Sequence, residues 1–268
     1  MTIKVASIQY GFSNQLSKEE RIKKAEQLID QSADADLILL PELWNFGWHS
    51  MFDKDITRDE VLKCSETIEG ETISRIAQKA REVNSYIVSG SILERRGEDF
   101  YNTLALLDPQ GKIVTTYSKI HLANYLGYQE ATFCKPGEIT TVKTELGVLG
   151  FGICYDLRFP ELFRKMAVKK GVEIFLFISA FAMTRLENWL HLCHARAIDN
   201  QCYFISCDAV GQDRGHHYLG YSAIIDPRGN TIAGSGTTER IVKGEIDLEE
   251  IYKFREAMPN LKNIVLSV

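Results

Sequence analysis

The sequence predicts an α/β (α+β) fold of two similar halves, in which two sheets pack face to face with helices outside. Three observations predict it. Strand-like and helix-like patterns alternate along the whole chain. The pattern of the first half, roughly 1–118, begins again over roughly 146–247. Apolar runs such as Leu37 to Leu40 do not alternate with polar residues, which is typical of strands buried on both faces.

The first half opens with a strand and a capped helix. Residues 3–9 are β-branched and apolar, which predicts a buried strand. Ser17 is followed three residues later by Glu20, a capping-box pattern that predicts the start of a helix. A second buried strand is expected over 36–40, because a short apolar run stops there at Pro41. A helix then follows at 71–83, and strands follow at 86–93, 102–107 and 112–118.

The second half repeats this order. Strands are expected at 148–153, 172–178 and 202–207, with helices reaching Lys170 and spanning about 185–200. Each half also contains an Asp-Pro-x-Gly segment between two strand-like runs, at 108–111 and 226–229. Proline suits the first central position of a turn, and glycine suits its exit. Both segments are therefore predicted to be turns.

The halves are predicted to form one domain over residues 1–268, with a core at about 3–247 and a tail at 248–268. No linker rich in proline, glycine and serine separates them, which argues against the alternative of two tandem domains. The tail contains a short helical pattern and ends in the apolar segment 264–268. An apolar terminus of this kind often packs against another subunit.

Composition excludes several classes of function. The net charge is −5, so no general basic field attracts nucleic acid or an anionic membrane. The first residues lack the long apolar region of a signal peptide, and no apolar run approaches the roughly 20 residues that cross a bilayer. Six cysteines show no CxxC pairs, which is typical of reduced thiols. We expect a cytoplasmic protein without nucleic-acid or membrane partners.

Cys154 is the first candidate for chemistry. It follows a glycine-punctuated strand and precedes a segment that opens a helix. A sharp strand-to-helix turn presents the thiol at the sheet edge and points backbone N–H groups toward it, which favours a thiolate and stabilises an oxyanion. The alternative is a small core residue, as most cysteines are. Position alone leaves both interpretations open.

Two charged residues also follow strands. Glu42 ends a strongly apolar run; burial raises the pKa of such a carboxylate and suits it to general-base work, whereas at a loop it is merely solvated. Lys119 also ends a strand. Near a cysteine its ammonium lowers the thiol pKa and binds an oxyanion, and the alternative is again a solvated side chain. Sites in α/β folds gather at strand ends, so the three residues together indicate a site.

The segments that hold these residues resemble the three signature motifs of the nitrilase superfamily of carbon–nitrogen hydrolases. They read Leu-Pro-Glu-Leu, Ser-Lys-Ile-His-Leu and Gly-Ile-Cys-Tyr-Asp-Leu-Arg-Phe-Pro-Glu. The resemblance continues at 196–203 and 220–223, and covers about residues 3–255. Three motifs in the right order are far more specific than one. The resemblance implies the four-layer αββα sandwich of this superfamily, which agrees with the two halves.

The resemblance implies a role for each matching residue. Cys154 is the nucleophile, Glu42 the general base and Lys119 the partner of the oxyanion. Glu130 matches the second glutamate, which orients the catalytic groups. The backbone N–H of Tyr155 completes the oxyanion hole. No metal or organic cofactor is required. Framework roles are implied for Asp156, Arg158, Glu161, Arg196 and Asn200.

Within the superfamily the motifs are most similar to those of ω-amidases, which hydrolyse the terminal amide of short 2-oxo acids such as 2-oxoglutaramate. That chemistry needs a cation for the distal carboxylate. Arg185 is the candidate, and an exposed arginine at a helix start is the alternative. Trp48, Tyr125 and Phe181 are candidate walls of the pocket, although aromatic residues near strand ends are as often core. The resemblance also implies at least a homodimer.

Other functions remain as alternatives. Within the superfamily these are a nitrilase and an N-carbamoyl amidohydrolase. A non-catalytic binding protein on the same fold is the alternative from another class, and a metal-dependent phosphodiesterase shares the four-layer sandwich. A papain-like hydrolase needs a histidine base, which no histidine here provides in a protease-type context. His191 and His194 lie three apart on a helix, which is more typical of a surface pair than of a zinc site.

Overall fold

The computed structural model describes residues 2–266, which form fifteen strands and eight α-helices. The strands, β1 to β15 in chain order, are Thr2–Gln9, Gly11–Ser13, Leu37–Leu39, Tyr86–Arg96, Asp99–Leu107, Ile113–Ser118, Thr141–Thr144, Gly147–Ile153, Ile174–Ser179, Tyr203–Asp208, Val210–Asp213, His216–Leu219, Ala223–Ile225, Thr231–Gly234 and Arg240–Asp247. The helices, α1 to α8, are Lys18–Asp30, His49–Phe52, Arg58–Cys64, Glu71–Val83, Glu130–Phe133, Pro160–Lys170, Leu186–Asn200 and Leu248–Ala257. Short 3₁₀-helices cover Cys154–Arg158 and Met183–Arg185.

Two six-stranded sheets carry the fold. The first has the order β15-β1-β3-β4-β5-β6, and the second has the order β14-β13-β10-β9-β8-β7. In each sheet the three central strands run parallel, as expected for strands joined by crossover helices, and the outer pairs are antiparallel. The predicted repetition of the two halves is therefore visible in the topology.

The predicted end of the second half does not coincide with the end of the second sheet. The prediction assigned residues up to 247 to the second half, but β15 pairs antiparallel with β1 in the first sheet, from Thr2 opposite Asp247 to Gln9 opposite Arg240. In the same way β7, which follows the first half, pairs with β8 in the second sheet. The last strand of the second half and the strand that follows the first half therefore each join the other half's sheet. The edge of a sheet has unpaired N–H and C=O groups, and a strand from any part of the chain can form hydrogen bonds with them.

The layers explain the unbroken apolar runs. Leu37 and Leu39 point into the cluster between the two sheets, together with residues such as Leu176. Their neighbours Ile38 and Leu40 point the other way, into the cluster beneath α1 and α4. Because both faces of the strand are covered, every position is apolar. A separate cluster lies under α6 and α7, which completes a four-layer αββα arrangement.

The local sequence patterns for helix starts and turns are confirmed by the structure. The hydroxyl of Ser17 accepts from the backbone N–H of Glu20, whose carboxylate accepts from the backbone N–H of Ser17, so the capping box starts α1 as predicted. The helix over 71–83 has the predicted bounds. In both predicted turns the glycine N–H donates to the aspartate carbonyl, at 2.8 Å for Gly111 and 2.9 Å for Gly229.

A third, three-stranded sheet was not predicted. It consists of β12, β11 and β2, and lies beside the ends of the large sheets. Its strands have three or four residues each, too short for a hydrophobic alternation to show in the sequence. Arg214 and Gly215, with φ of 48° and 85°, form the tight turn between β11 and β12. This hairpin borders the candidate site.

The last residues follow the predicted course. Helix α8 is the predicted short helical pattern, and beyond it Val265 and Leu266 are exposed. Residues 267 and 268, part of the apolar tail to which a subunit contact was assigned, lie outside the described residues. The single domain, the homodimer and the cytoplasmic location all stay predictions. No helix within residues 2–266 has the length and apolar character required to cross a membrane.

Candidate active site

The predicted catalytic residues meet because their strands end at the same edge of the sandwich. Glu42 follows β3, Lys119 follows β6 and Cys154 follows β8. Glu130 is the first residue of α5, in the loop segment after β6. Glu42, Lys119 and Glu130 are each at most 1% exposed, so none is the solvated strand-end residue of the alternative interpretation.

A buried lysine between two carboxylates forms the centre of the site. Lys119 Nζ lies 3.0 Å from Glu42 Oε1 and 2.9 Å from both carboxylate oxygens of Glu130. A buried charge is tolerated only when it is paired and hydrogen-bonded, and here one ammonium faces two acids. With all three groups ionised, this cluster carries a net charge of about −1.

Backbone donors fix the remaining carboxylate oxygens. The N–H of Ala180 donates to Glu42 Oε2 at 2.9 Å, and the N–H of Ala123 donates to Glu130 Oε2 at 2.7 Å. Each carboxylate therefore has a partner for both oxygens. This arrangement holds the two acids in place without side-chain freedom, as a preorganised site requires.

Asn102 is a site residue that the sequence analysis missed. It lies on β5, fully buried, and its amide nitrogen donates to Glu42 Oε1 at 2.8 Å and to Glu130 Oε1 at 2.9 Å. It therefore bridges the two acids on the side opposite their bonds to the backbone. The available signal was its position: asparagine is depleted in strands, so one inside a predicted strand marks a special contact.

Burial and the neighbouring charges together set the protonation of Glu42 and Lys119. Burial is the main cause of a raised pKa at Glu42; Lys119 opposes the increase, and Glu130 adds to it. For Lys119, burial alone lowers the pKa, but the attraction of Glu130 and Glu42 outweighs it, and the pKa is raised well above its ordinary value. Lys119 thus stays a cation while Glu42 is poised to take a proton.

Cys154 lies on the sharp turn that the sequence predicted. It starts the 3₁₀-helix directly after β8 with a φ of +48°, a left-handed conformation that residues other than glycine rarely adopt. Asp156 holds this turn: its carboxylate accepts from the N–H of Ile153 at 3.0 Å, the hydroxyl of Tyr117 at 2.7 Å and the N–H of His121 at 2.9 Å. Such strain persists where the surroundings determine it, and it is common at active sites.

The surroundings of Cys154 favour the neutral form of its thiol. Burial raises its pKa, Glu42 raises it further, and Lys119 opposes both. A thiol with a raised pKa is a weak nucleophile until a base removes its proton, which makes Glu42 the candidate base.

A narrow cavity of about 30 Å³ opens on the thiol. Four residues predicted for the pocket line it: Trp48, Tyr125, Phe181 and Arg185. The complete lining is Trp48, His49, Ala123, Tyr125, Tyr128, Cys154, Ala180, Phe181, Ala182 and Arg185. Trp48 and Phe181 were predicted either as pocket walls or as core residues. Each is 3% exposed and each lines the cavity, so both descriptions apply. The sequence analysis did not identify His49 and Tyr128.

Tyr155 lies just outside this lining, with its ring packed on that of Tyr125 at a centroid distance of 5.1 Å. Its predicted contribution was the backbone N–H, which follows Cys154 at the turn. The role of its N–H in an oxyanion hole stays a prediction.

Arg185 is half-buried and is held at the cavity by Tyr125. Its Nη1 donates to the hydroxyl of Tyr125 at 2.7 Å, and its guanidinium lies 4.7 Å from the centre of that ring. A fixed guanidinium presents paired donors that match a carboxylate. The cavity therefore combines a thiol with a cation.

Arg196 supports the turn that carries Cys154, and His191 and His194 contact different groups. Arg196 is 4% exposed, and its guanidinium donates to the carbonyl of Leu157 in the turn. His191 is largely exposed and pairs with Glu187. His194 Nδ1 donates to the carbonyl of Gly229 at 2.8 Å, so the two histidines have separate partners.

The chain is similar to known proteins over almost its full length. Residues 4–256 match the family model described as carbon-nitrogen hydrolase. The chain is 38% identical to a 2-oxoglutaramate amidase of Bacillus subtilis, with 91% of each chain covered. It is 32% identical to the omega-amidase NIT3 of Saccharomyces cerevisiae, covering 97% of this chain and 92% of the relative.

Solved structures show the same architecture. Yeast Nit3, a member of branch 10 of the nitrilase superfamily, superposes with a TM-score of 0.83 at 31% identity, covering 96% of this chain and 94% of that one. A carbon–nitrogen hydrolase superfamily protein of Xanthomonas campestris superposes with a TM-score of 0.89 at 24% identity, covering 100% and 99% of the two chains. The predicted αββα sandwich is therefore confirmed.

Proposed function

The chain belongs to the carbon–nitrogen hydrolase family, and from this membership we propose that it is an ω-amidase. The substrate class is the terminal amide of a short 2-oxo dicarboxylic acid, such as 2-oxoglutaramate. One observation carries the proposal: Arg185, held by Tyr125, lines the same narrow cavity as the thiol of Cys154. When the carboxylate of a short substrate binds the guanidinium of Arg185, the amide at its other end faces the sulfur of Cys154. The names of the relatives agree with this choice.

The first chemical step is attack by sulfur. Glu42 removes the proton of the Cys154 thiol, because burial raises the pKa of the carboxylate and also keeps the thiol neutral until the proton is transferred. The sulfur then forms a bond to the amide carbon, and the carbonyl π electrons move to oxygen. The product of this step is a tetrahedral oxyanion.

The oxyanion needs donors that are already in place. Lys119, fixed by Glu42 and Glu130, supplies a permanent cation, and the backbone N–H of Tyr155 supplies a second donor at the turn. Donors that need no reorganisation stabilise the developing charge most, by several kcal/mol in comparable sites, about 2.7–4 for one donor. Glu130 acts on the reaction through Lys119 and is a positioning residue.

Collapse of the intermediate releases ammonia. The amide nitrogen takes the proton from Glu42, its bond to carbon breaks, and a thioester on Cys154 remains. Glu42 then removes a proton from water as the water oxygen attacks the thioester carbon. The carbon–sulfur bond breaks, the thiol regains a proton, and the free dicarboxylic acid leaves. Glu42 serves both halves of the cycle, first as base toward sulfur and then as base toward water.

A substrate panel tests the proposal. Ammonia release is measured with 2-oxoglutaramate, glutaramate, an N-carbamoyl amino acid and a simple nitrile. We expect the highest kcat/KM with 2-oxoglutaramate. Preference for the nitrile or the carbamoyl compound would replace the ω-amidase proposal with one of those two activities and leave the family unchanged. Absence of turnover with all four would favour a binding protein on this fold.

The variant Arg185→Met adds a prediction about recognition. Removing a charge-assisted contact to the substrate carboxylate costs about 1.5–3 kcal/mol, which corresponds to roughly a 10- to 100-fold loss in kcat/KM for 2-oxoglutaramate. The loss should be much smaller for a simple amide without a carboxylate. Arg228→Met is the control, since Arg228 is exposed and pairs with Glu250 far from the cavity. Equal losses on both substrates would contradict the role of Arg185.

The pH profile is a further prediction. Glu42 must be ionised to act as base, and its pKa is raised by burial, so activity is present above that pKa and is lost as the pH falls through it. The acid limb of kcat/KM should therefore lie above about 4.3, the ordinary glutamate value. Circular dichroism at each pH controls for unfolding. An acid limb at or below 4.3 in folded protein would contradict a base of this kind.

A further inference from the structure

Three side chains at the mouth of the cavity have metal-binding chemistry that the proposed reaction does not use. His49 Nδ1 lies 3.0 Å from Asp53 Oδ1, and His216 Nε2 lies 3.6 Å from Asp53 Oδ2. The two imidazole rings are stacked at 3.8 Å with an interplanar angle of 6°. One donor atom from each of the three residues lies within 4.8 Å of the others.

The fold brings these residues together from distant parts of the chain. His49 begins α2 and Asp53 follows its end, one helical turn later. His216 begins β12, immediately after the tight turn of the hairpin. Asp213 on the same hairpin accepts from the backbone N–H of Ser50 at 3.1 Å and from its hydroxyl at 2.5 Å. The hairpin and α2 are therefore tied together before any ligand arrives.

The donor set fits a zinc ion. Two imidazoles and one carboxylate are ligands that Zn²⁺ takes in sites with three protein ligands and one open position. Zinc–ligand bonds of about 2.0–2.1 Å in a tetrahedron separate neighbouring donors by roughly 3.4 Å. The separations of 3.0 and 3.6 Å involve different oxygens of Asp53, Oδ1 and Oδ2, and the donor atoms of the three residues lie within 4.8 Å of one another. Two parallel rings cannot both point a nitrogen at one ion, so binding requires His216 to leave the stack, and its side chain, 44% exposed, has room to turn.

We propose that His49, Asp53 and His216 form a zinc site at the entrance to the active-site cavity. His49 lines the cavity of Cys154, whereas Asp53 and His216 line an adjoining outer cavity of about 600 Å³. Tyr128 lines both. An ion bound here has a path from solvent through the outer cavity. This inference goes beyond the amidase reaction, which takes no step through the ion.

Arg214 is a built-in competitor for this site. Its Nε lies 3.4 Å from Asp53 Oδ2, and its Nη2 lies 2.6 Å from Asp55. The guanidinium therefore occupies an oxygen that the metal needs and repels a divalent cation. Arg214→Ala should release that oxygen and tighten zinc binding. If the three residues only form hydrogen bonds and ion pairs, this variant should show no increase in zinc affinity. The variant therefore distinguishes the two cases.

The test measures metal binding directly. Full-length protein carrying Cys154→Ser, which removes the site thiol as a competing ligand, is freed of metal with a chelator and titrated with ZnCl₂ by calorimetry. We expect one Zn²⁺ per chain. His216→Ala and Asp53→Asn should each weaken binding at least about tenfold, since even loss of a supporting contact costs 10- to 100-fold. Arg214→Ala should strengthen it.

Two controls make the outcome decisive. His191→Ala removes an exposed histidine on α7 that pairs with Glu187, and it should leave the affinity unchanged. Co²⁺ in place of Zn²⁺ should give visible absorption of nitrogen and oxygen coordination without sulfur charge-transfer bands. Thermal denaturation shows that each variant is folded. No binding, binding that His216→Ala and Asp53→Asn leave unchanged, or a sulfur spectrum would overturn the proposal, whatever the substrate panel shows.

Discussion

Replacing Cys154 with alanine should abolish ammonia release, with a loss in kcat of about 10⁴ or more. The physical reason is that no other group at the site can form the covalent bond to the amide carbon: Glu42 and Glu130 are held by Lys119, Asn102 and backbone donors. Ammonia release and mass spectrometry after acid quenching check the prediction. Wild-type protein quenched during turnover should carry an acyl adduct on the peptide that contains Cys154.

The matched control is Cys64→Ala. Cys64 is the other half-buried cysteine, while Cys134, Cys193, Cys202 and Cys207 are buried. It ends α3, away from the cavity, and its loss should leave turnover within about twofold. Iodoacetamide should label Cys154 in preference to the other thiols. Full turnover in Cys154→Ala, or an adduct on another cysteine, would disprove the nucleophile assignment.

Replacing Lys119 with methionine should both destabilise the protein and reduce its activity. The change leaves Glu42 and Glu130 buried side by side without their cation. Removing one partner of a buried ion pair costs about 3–5 kcal/mol. Since a domain is typically stable by only about 5–15 kcal/mol, much of the total free energy of unfolding is lost. Urea denaturation measures it, and turnover should fall with the oxyanion partner gone.

The loss of stability should depend on pH. Lys119 opposes the raised pKa of Glu42, so without this cation burial and the charge of Glu130 raise the pKa of Glu42 further above about 4.3, its value in the unfolded chain. The folded variant then binds more protons than the unfolded chain, so its stability is greatest at low pH and falls as the pH rises through the raised pKa of Glu42. The deficit relative to wild type should be larger at pH 8 than at pH 6.

Lys79→Met is the control for this experiment. Lys79 also lies between two carboxylates, those of Asp30 and Glu82, but these acids are 54% and 44% exposed. Exposed pairs contribute about 0–1 kcal/mol, so this variant should lose little. Similar losses for Lys79→Met and Lys119→Met, or a deficit independent of pH, would show that the buried cluster is not held by its charges.

The elements that were predicted well have local causes. The capping box of Ser17 and Glu20 fixes the start of α1 through contacts three residues apart. The helix over 71–83 follows from the spacing of its apolar residues, and the two Asp-Pro-x-Gly turns follow from backbone preferences. The strands of the third sheet are shorter than the pattern that would reveal them, so they were missed.

The candidate site also contains residues that the sequence identified and a residue that it did not. Cys154, Glu42, Lys119 and Glu130 stand in recognisable motifs and do meet in space. Asn102 has no motif. It contributes only because β5 lies beside β4 and β6 and carries its amide to the two acids. For Arg185 the sequence left two alternatives; the contact with Tyr125, 60 residues away, argues against a fully solvated side chain, and the role toward substrate stays a prediction.

The sequence by itself determined the order of strands and helices, the repetition of two halves and the residues of the three motifs. These depend on apolar spacing, turn chemistry and side-chain identity, all of which are written locally in the chain. Only the tertiary structure decided that β7 and β15 exchange sheets, that Asn102 joins the acids, and that His49, Asp53 and His216 converge. Those contacts depend on which strands become neighbours, and that is settled by long-range pairing and burial of the whole chain.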